Sequence, residues 1–185
     1  GLVDAYLARR GPNQLWKQTA PGQWQELASA GGADAGEADS IDVLWLEADH
    51  DGDLDLWLLN RDAPLELLNN NLDGSFRPLA AEYGLATPAS AGEGHLLPLD
   101  LDNDRDLDLI VQRSGGPQIG FRNDRGWRYQ PVAGLDGLLQ EPVLAAIAAE
   151  RAGDGQVAVY ALGLEGQLRR WLAQVEGDWQ GRAIA

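Results

Sequence analysis

A repeat of about 52 residues is the feature that most constrains what this chain can fold into. Two acidic runs align position for position at an offset of 53: residues 47–56 (EADHDGDLDL) and residues 100–109 (DLDNDRDLDL). A weaker third run at 150–159 (ERAGDGQVAV) and a trace at 3–6 extend the period. Two columns of mostly aromatic residues repeat at spacings of 50 to 53: Trp24, Phe76, Trp127 and Trp179, and Trp16, Leu68, Phe121 and Trp171. Such a period predicts stacked structural units.

Each period has the composition of four short β-strands. Four runs in the first complete period are apolar or alternating and rich in strand formers, namely residues 40–46, 54–59, 64–68 and 76–79. The Asn- and Gly-rich stretch 69–74 predicts a tight turn between the last two. Pro78 predicts that the fourth strand is an edge strand, where a missing N–H costs little. The phase of the repeat also makes 143–149 a strand.

Four strands in a repeat of this length are typical of a β-propeller blade. The sequence therefore predicts an all-β fold, a β-propeller of four-stranded blades, with residues 1–185 as a single segment. The expected blades are residues 1–30 (partial), 40–82, 93–135 and 143–185. Propellers usually have 4–8 blades, and about three and a half are expected here. We expect either further blades in a longer parent chain, which the absence of Met also suggests, or copies that together close a ring.

Composition excludes several classes of partner and chemistry. The 29 acidic and 14 basic residues give a formal net charge of −15, which disfavours binding to nucleic acid. No apolar run approaches the roughly 20 residues that span a bilayer, so membrane insertion is not expected, and no signal peptide is visible. The chain has no Cys, which excludes disulfides, zinc–thiolate sites and thiol nucleophiles.

The first two acidic runs are predicted to bind calcium. Ca²⁺ takes 6–8 oxygen ligands, and carboxylates at alternate positions around a Gly can wrap such a set about the ion. In the first run the expected ligands are the side chains of Glu47, Asp49, Asp51 and Asp55 and the backbone carbonyl of Asp53. In the second run they are the side chains of Asp100, Asp102, Asp104 and Asp108 and the backbone carbonyl of Asp106.

An EF-hand is excluded because the twelfth position of the first loop is Leu58, in a predicted strand, where an EF-hand needs a Glu. A solvated acidic turn without metal is the alternative, but so many like charges in short loops repel one another unless a cation neutralises them. In the second loop Arg105 replaces Gly, which costs roughly 1 kcal/mol if the backbone has positive φ. The third run has Ala152 and Ala158 at ligand positions and is expected to hold no metal, although Glu150, Asp154 and Gly155 remain.

The residues around these loops resemble the FG-GAP/VCBS repeat. In the first copy the resemblance is carried by DHDGDLDL at 49–56, Asn60, NNLDGSF at 70–76 and AEYGL at 81–85. The second copy keeps FRNDRGW at 121–127 and AGL at 133–135. The resemblance extends over essentially the whole chain with decreasing quality, and its departures are Glu47 for Asp, Arg105 for Gly and the third loop.

The resemblance implies blades like those of integrin-α-type propellers and their secreted bacterial relatives. It implies calcium on blade loops, a location outside the cytoplasm (extracellular, cell-surface or periplasmic) and binding to proteins or glycans. Calcium loops of extracellular modules have dissociation constants of about 10⁻⁴–10⁻³ M, which agrees with that location.

The residues do not suggest an enzyme. His50 lies between acidic residues and is expected to be exposed, and His95 is expected at a strand edge. No nucleophile elbow or Gly-rich phosphate loop is present. The seven Trp residues could stack on sugars, but the periodicity favours packing for Trp16, Trp24, Trp127, Trp171 and Trp179, and Trp45 and Trp57 are also expected in the core.

The leading hypothesis is a non-catalytic, calcium-stabilised propeller segment for adhesion, recognition or assembly. One alternative is a propeller module that supports a glycan-active or other catalytic domain elsewhere in the parent chain. Another is a structural unit that self-associates through open blade edges, since unpaired strand edges favour pairing with other chains.

Overall fold

The computed structural model describes residues 2–89, 92–102, 104–114, 117–132, 140, 143–150, 157–173 and 179–184, with backbone alone for 144–150 and 173. These residues form fifteen β-strands and one four-residue helix. No helix in this described part is both long and apolar enough to cross a membrane. The chain divides into two compact units, residues 1–89 and 90–185.

The first unit contains two antiparallel sheets. The three strands of the first sheet are β1 (Ala5–Leu7), β2 (Gln14–Ala20) and β3 (Gln23–Glu26), in that order, followed by helix α1 (Ala28–Gly31). The four strands of the second sheet are β4 (Ser40–Leu46), β5 (Asp55–Asn60), β6 (Glu66–Asn70) and β7 (Phe76–Pro78).

The second unit contains two antiparallel sheets of four strands each. The third sheet consists of β8 (Gly94–Leu99), β9 (Asp108–Arg113), β10 (Ile119–Asn123) and β11 (Tyr129–Pro131). The fourth consists of β12 (Val143–Glu150), β13 (Val157–Gly163), β14 (Leu168–Ala173) and β15 (Trp179–Ala183). In every sheet the strands follow one another in chain order, which is the topology that short hairpin connections produce.

The strand pairing repeats with the same register in all four sheets. In each sheet the residue of the second aromatic column (Trp16, Leu68, Phe121 or Trp171) pairs with one residue on each of the two neighbouring strands. The four sets are Ala5, Trp16 and Glu26; Leu56, Leu68 and Pro78; Leu109, Phe121 and Pro131; and Val159, Trp171 and Gly181. The sequence period is therefore also a period of backbone hydrogen bonding.

Each unit has a core built from inward-facing strand residues. In the first unit Tyr6, Leu15, Leu56, Leu58 and Leu68 form one buried cluster, so the two sheets of this unit share a core. In the second unit the buried cluster consists of Leu97, Leu99, Leu101, Ile110, Val143, Val159, Ala161 and Trp171. Burial of apolar area at roughly 25 cal/mol per Å² is the main stabilising term for both clusters.

The all-β prediction is confirmed, and the predicted strands at 40–46, 54–59, 64–68, 76–79 and 143–149 agree with the structure to within two residues. Pro78 lies on β7, the terminal strand of its sheet, as expected. The described residues show separate sheets of three and four strands, while ring closure and blade number stay predictions.

Two features differ from the sequence analysis. The four-residue helix α1 was not expected; it ends at Gly32, whose φ of 74° is in the left-handed region that suits a helix C-terminus. The packing role expected for Trp24 is wrong, because 44% of this residue is exposed on β3, the terminal strand of the first sheet. By contrast Trp57 is fully buried and Trp171 is only 3% exposed.

We expect Leu58→Ala to lower the free energy of unfolding by about 2–5 kcal/mol, since the substitution leaves a cavity in the first core. The same replacement at Leu72, which is 74% exposed, should change it by less than about 0.5 kcal/mol. Urea unfolding followed by circular dichroism measures both. Similar losses in the two variants would contradict the assignment of this core.

Candidate metal centres

The first acidic loop joins two neighbouring strands of the second sheet. β4 ends at Leu46 and β5 begins at Asp55, so the loop is closed by a strand pair in which Leu46 faces Asp55. Carboxylate oxygens of Glu47, Asp49 and Asp55 all lie within 4.8 Å of one another. Three hard oxygen donors at this separation suit a divalent cation.

The second acidic loop occupies the same place in the third sheet. β8 ends at Leu99 and β9 begins at Asp108, and these two residues are paired. Carboxylate oxygens of Asp100, Asp102 and Asp108 lie within 4.8 Å of one another. Within each copy the structure thus clusters carboxylates from the same three positions of the repeat.

Backbone N–H groups shape both loops by donating to the first carboxylate. In the first loop Glu47 accepts hydrogen bonds from the N–H groups of His50 and Gly52, each at 2.8 Å. In the second loop Asp100 accepts from the N–H groups of Asp104 at 3.1 Å and Arg105 at 3.0 Å. These bonds curl the chain so that successive carboxylates converge.

The position predicted to need positive φ has it in both copies. Gly52 has a φ of 97° and Arg105 a φ of 77°. The left-handed conformation at this position is therefore kept in the second copy despite the side chain, and the strain expected for Arg105 is present in the structure.

A buried Asp at the start of the second strand ties each loop to the turn between the third and fourth strands. Asp55 accepts hydrogen bonds from the N–H of Ala48 at 3.0 Å and the N–H of Asn70 at 2.9 Å. Asp108 accepts from the N–H of Leu101 at 2.5 Å and the N–H of Asn123 at 2.7 Å. Both carboxyl groups are almost completely buried.

Asn70 and Asn123 are structural partners of the loops that the sequence analysis did not assign to the sites. Their side-chain amides donate to the backbone carbonyls of Leu54 at 3.3 Å and Leu107 at 3.4 Å. The two residues are 53 positions apart, the same offset as the acidic runs, and this spacing could have identified them.

Comparison with protein families now identifies the segment that contains both loops. Residues 47–111 match the family model of the FG-GAP-like repeat. This segment is an FG-GAP-like repeat. The resemblance found in the sequence is confirmed for these residues, which begin at the first loop and end on β9 of the third sheet. No curated protein matches the chain.

Within the FG-GAP-like repeat, burial makes the charged form of the loop carboxylates costly. Burial raises the pKa of Asp55 and the pKa of Asp108 to about 7 each, in spite of the two backbone N–H groups that each accepts from. Burial also raises the pKa of Asp49, Asp53 and Asp102, and nearby carboxylates add to these shifts.

The Asp53 side chain, to which the sequence analysis gave no part, is buried in the first loop. The residue is 8% exposed, and both carboxylate oxygens are buried without a hydrogen-bond partner, while the role of its backbone carbonyl stays a prediction. Burial raises the pKa of Asp53, and the carboxylates of Asp51, Glu47 and Asp49 raise it further. An unpaired carboxylate in such surroundings is expensive unless a cation compensates it.

Asp106, the equivalent residue of the second loop, has a cationic partner. The Arg125 guanidinium binds its carboxylate through Nε to Oδ2 and through Nη2 to Oδ1, the latter at 3.1 Å. Arg122 lies 3.6 Å from the Asp102 carboxylate and 2.8 Å from that of Asp124. The carboxylates of Asp53 and Asp106 therefore differ in charge compensation.

Two further predicted side-chain ligands, Asp51 and Asp104, are not part of the two oxygen clusters. Each accepts the N–H of the residue two positions on, Asp53 at 3.1 Å and Asp106 at 2.9 Å. The expectation of an empty third loop concerns Ala152, Asp154 and Gly155, which lie outside the described residues.

In calcium-free buffer we expect the melting temperature to fall as the pH rises from about 4 to about 7. The unfolded chain releases the protons of Asp55 and Asp108 near the ordinary pKa of 3.8, whereas the folded chain holds them up to about 7. The folded state binds more protons in this window, so raising the pH favours unfolding. Thermal melts in chelator across this range measure the slope.

The control distinguishes the effect of the Asp55 and Asp108 carboxyl groups from that of general charge repulsion. Asp55→Asn combined with Asp108→Asn should flatten the slope of melting temperature against pH. Glu37→Gln combined with Glu82→Gln removes two exposed charges and should leave this slope unchanged. Equal slopes in the two double variants would contradict the assignment.

Proposed function

We propose that this chain is a non-catalytic recognition module whose FG-GAP-like repeat is stabilised by calcium, and that it acts outside the cytoplasm on a protein or glycan partner. The match at residues 47–111 and the antiparallel sheets support a β-propeller-like module. Calcium and location go beyond this and are argued from the loops, whereas the partner class is the one that the resemblance to FG-GAP/VCBS repeats implies.

The buried, unpaired carboxylate of Asp53 is the observation that carries the calcium proposal. Its two oxygens lack a hydrogen-bond donor in a region that also holds the clustered carboxylates of Glu47, Asp49 and Asp55. Removing a carboxylate from water without a partner costs several kcal/mol. A bound cation would offset this cost for all of these groups together.

The donor chemistry favours Ca²⁺ over other common metals. All the clustered ligands are carboxylates, and none of the groups contains His or Cys, which zinc and copper prefer. The backbone of the loops supplies further carbonyl oxygens, and Ca²⁺ tolerates the large, irregular oxygen shells that Mg²⁺ does not. Calcium would act by tying β4 to β5 and stabilising the native state by mass action.

The absence of catalysis is part of the proposal and has two supports. Both His residues are exposed, His50 at the tip of the first loop and His95 on β8. The carboxylates that could act as acid and base are held by hydrogen bonds from the loop backbone, as Asp55 and Asp108 are. These bonds suit a structural role better than proton transfer.

The calcium concentration that such loops require supports the proposed location. Modules that rely on calcium for structure outside cells have dissociation constants of about 10⁻⁴–10⁻³ M. An exposed loop of this type would be saturated in extracellular fluid and largely empty at cytoplasmic calcium levels. A calcium dissociation constant in that range would support the proposed location.

We expect calcium to raise the melting temperature of the wild-type chain relative to chelator, by roughly 5–10 °C at a hundredfold excess over the dissociation constant. Magnesium at the same concentration should give little of this shift. Asp49→Asn should abolish most of it, because the amide keeps the oxygen that accepts the Asp51 N–H but removes the charge. Differential scanning calorimetry measures all three.

Glu82→Gln is the matched control. It removes one negative charge from an exposed residue outside both loops, so its calcium response should equal that of the wild type. A wild-type melting temperature that is the same with calcium and with chelator would refute the calcium proposal.

A further inference from the structure

The turns that support the two acidic loops carry residues of different charge at one left-handed position. Leu72 and Arg125 occupy equivalent places, with φ values of 60° and 62°. The N–H of each donates to the side-chain oxygen two residues earlier, Leu72 to Asn70 at 3.1 Å and Arg125 to Asn123 at 3.0 Å. The two turns share this left-handed residue and its hydrogen bond, and the side chain there is leucine in one copy and arginine in the other.

The side chains at this position lead to different electrostatics in the loops. Leu72 is 74% exposed, and the carboxylate of Asp53 has no hydrogen-bond partner. Arg125 instead extends to Asp106, whose side chain is 2% exposed, and makes a bidentate pair with it. Bidentate Arg–carboxylate pairs are among the stronger polar contacts in proteins.

We propose that Arg125 is a built-in cation of the second loop, which lowers its need and affinity for calcium, so that the first loop is the principal calcium site. This inference rests on the proposed function because it assumes that the first loop binds calcium. It makes Leu72 and Arg125 the residues that determine which copy of the repeat depends on the metal.

Charge and geometry give the reason. A divalent ion entering the second loop would meet the positive guanidinium already bound to Asp106, and Arg122 near Asp102 adds to this repulsion. It would also gain less, because one carboxylate is already neutralised. Ligand charge count is a main determinant of calcium affinity in loops of this size. The first loop has an unneutralised carboxylate at the equivalent place.

The test is isothermal titration of the 185-residue chain with calcium. For the wild type we expect one site at the first loop and a second at least about tenfold weaker. Arg125→Leu should strengthen the second site at least about tenfold, since it reproduces the residue of the first copy. Leu72→Arg should weaken the first site by a similar factor. The variants Asp49→Asn and Asp102→Asn, each combined with these changes, assign the sites.

Arg128→Leu is the matched control for charge. Arg128 belongs to the same turn, but its guanidinium donates to the backbone carbonyls of Arg125 and Asp124 and not to a loop carboxylate. Removing it changes the net charge by the same amount as Arg125→Leu and should alter the calcium affinity of the second loop by less than about threefold.

A second measurement covers the case in which loss of Arg125 weakens the fold. In chelator, Arg125→Leu should melt at a lower temperature than the wild type, and added calcium should remove this difference. Leu72→Arg adds a charge to an exposed position and should melt in chelator at or above the wild-type temperature. The inference would be overturned if neither variant showed the expected change in melting temperature.

The outcomes separate this inference from the proposed function. Calcium binding at the first loop that neither swap alters would overturn the role of Arg125 and leave the calcium site intact. Equal affinities of the two wild-type loops would do the same. No calcium binding by the wild type or by Arg125→Leu would overturn both. Equal gains in Arg125→Leu and Arg128→Leu would attribute the effect to net charge alone.

Discussion

The buried carboxyl group at the start of the second strand is the interaction on which each acidic loop depends. Asp55 binds the N–H of Ala48 and the N–H of Asn70, so one side chain connects the loop, its strand and the turn of a neighbouring hairpin. Asp108 makes the equivalent pair of bonds in the third sheet. Because the group is inaccessible to water, these bonds are strong and their loss would leave buried donors unsatisfied.

This architecture concentrates negative charge in a small volume. The curl of the loop backbone brings carboxylates within 4.8 Å of one another, and burial of Asp55 and Asp108 raises their pKa to about 7. A proton, a metal ion or a basic side chain would each lower the electrostatic cost of such a loop. The first copy has no basic partner for Asp53, whereas the second has Arg125. The same element of the fold thus carries a neutralising side chain in the second copy and none at Asp53 in the first.

The sequence predicted the secondary structure well because both of its signals are local. Alternating apolar strands and Asn- and Gly-rich turns depend on only a few neighbouring residues. The repeat then aligns β4 to β7 with the corresponding strands of the later copies. Helix α1 was missed because four residues are too short to have a period, and exposure of Trp24 was missed because burial depends on what covers a terminal strand. The clustering of Glu47, Asp49 and Asp55 follows from alternation around a turn, which the sequence shows directly.

The amino-acid sequence by itself determined the repeat, the all-β class and the positions of the acidic loops, since these depend on composition and spacing along the chain. Only the tertiary structure decided that Asp53 is buried without a partner and that Arg125 neutralises Asp106. Asp106 and Arg125 are 19 residues apart on separate hairpin connections. Their contact forms because the buried Asp108 holds loop and turn together, and the energy of a charge depends on its surroundings in space.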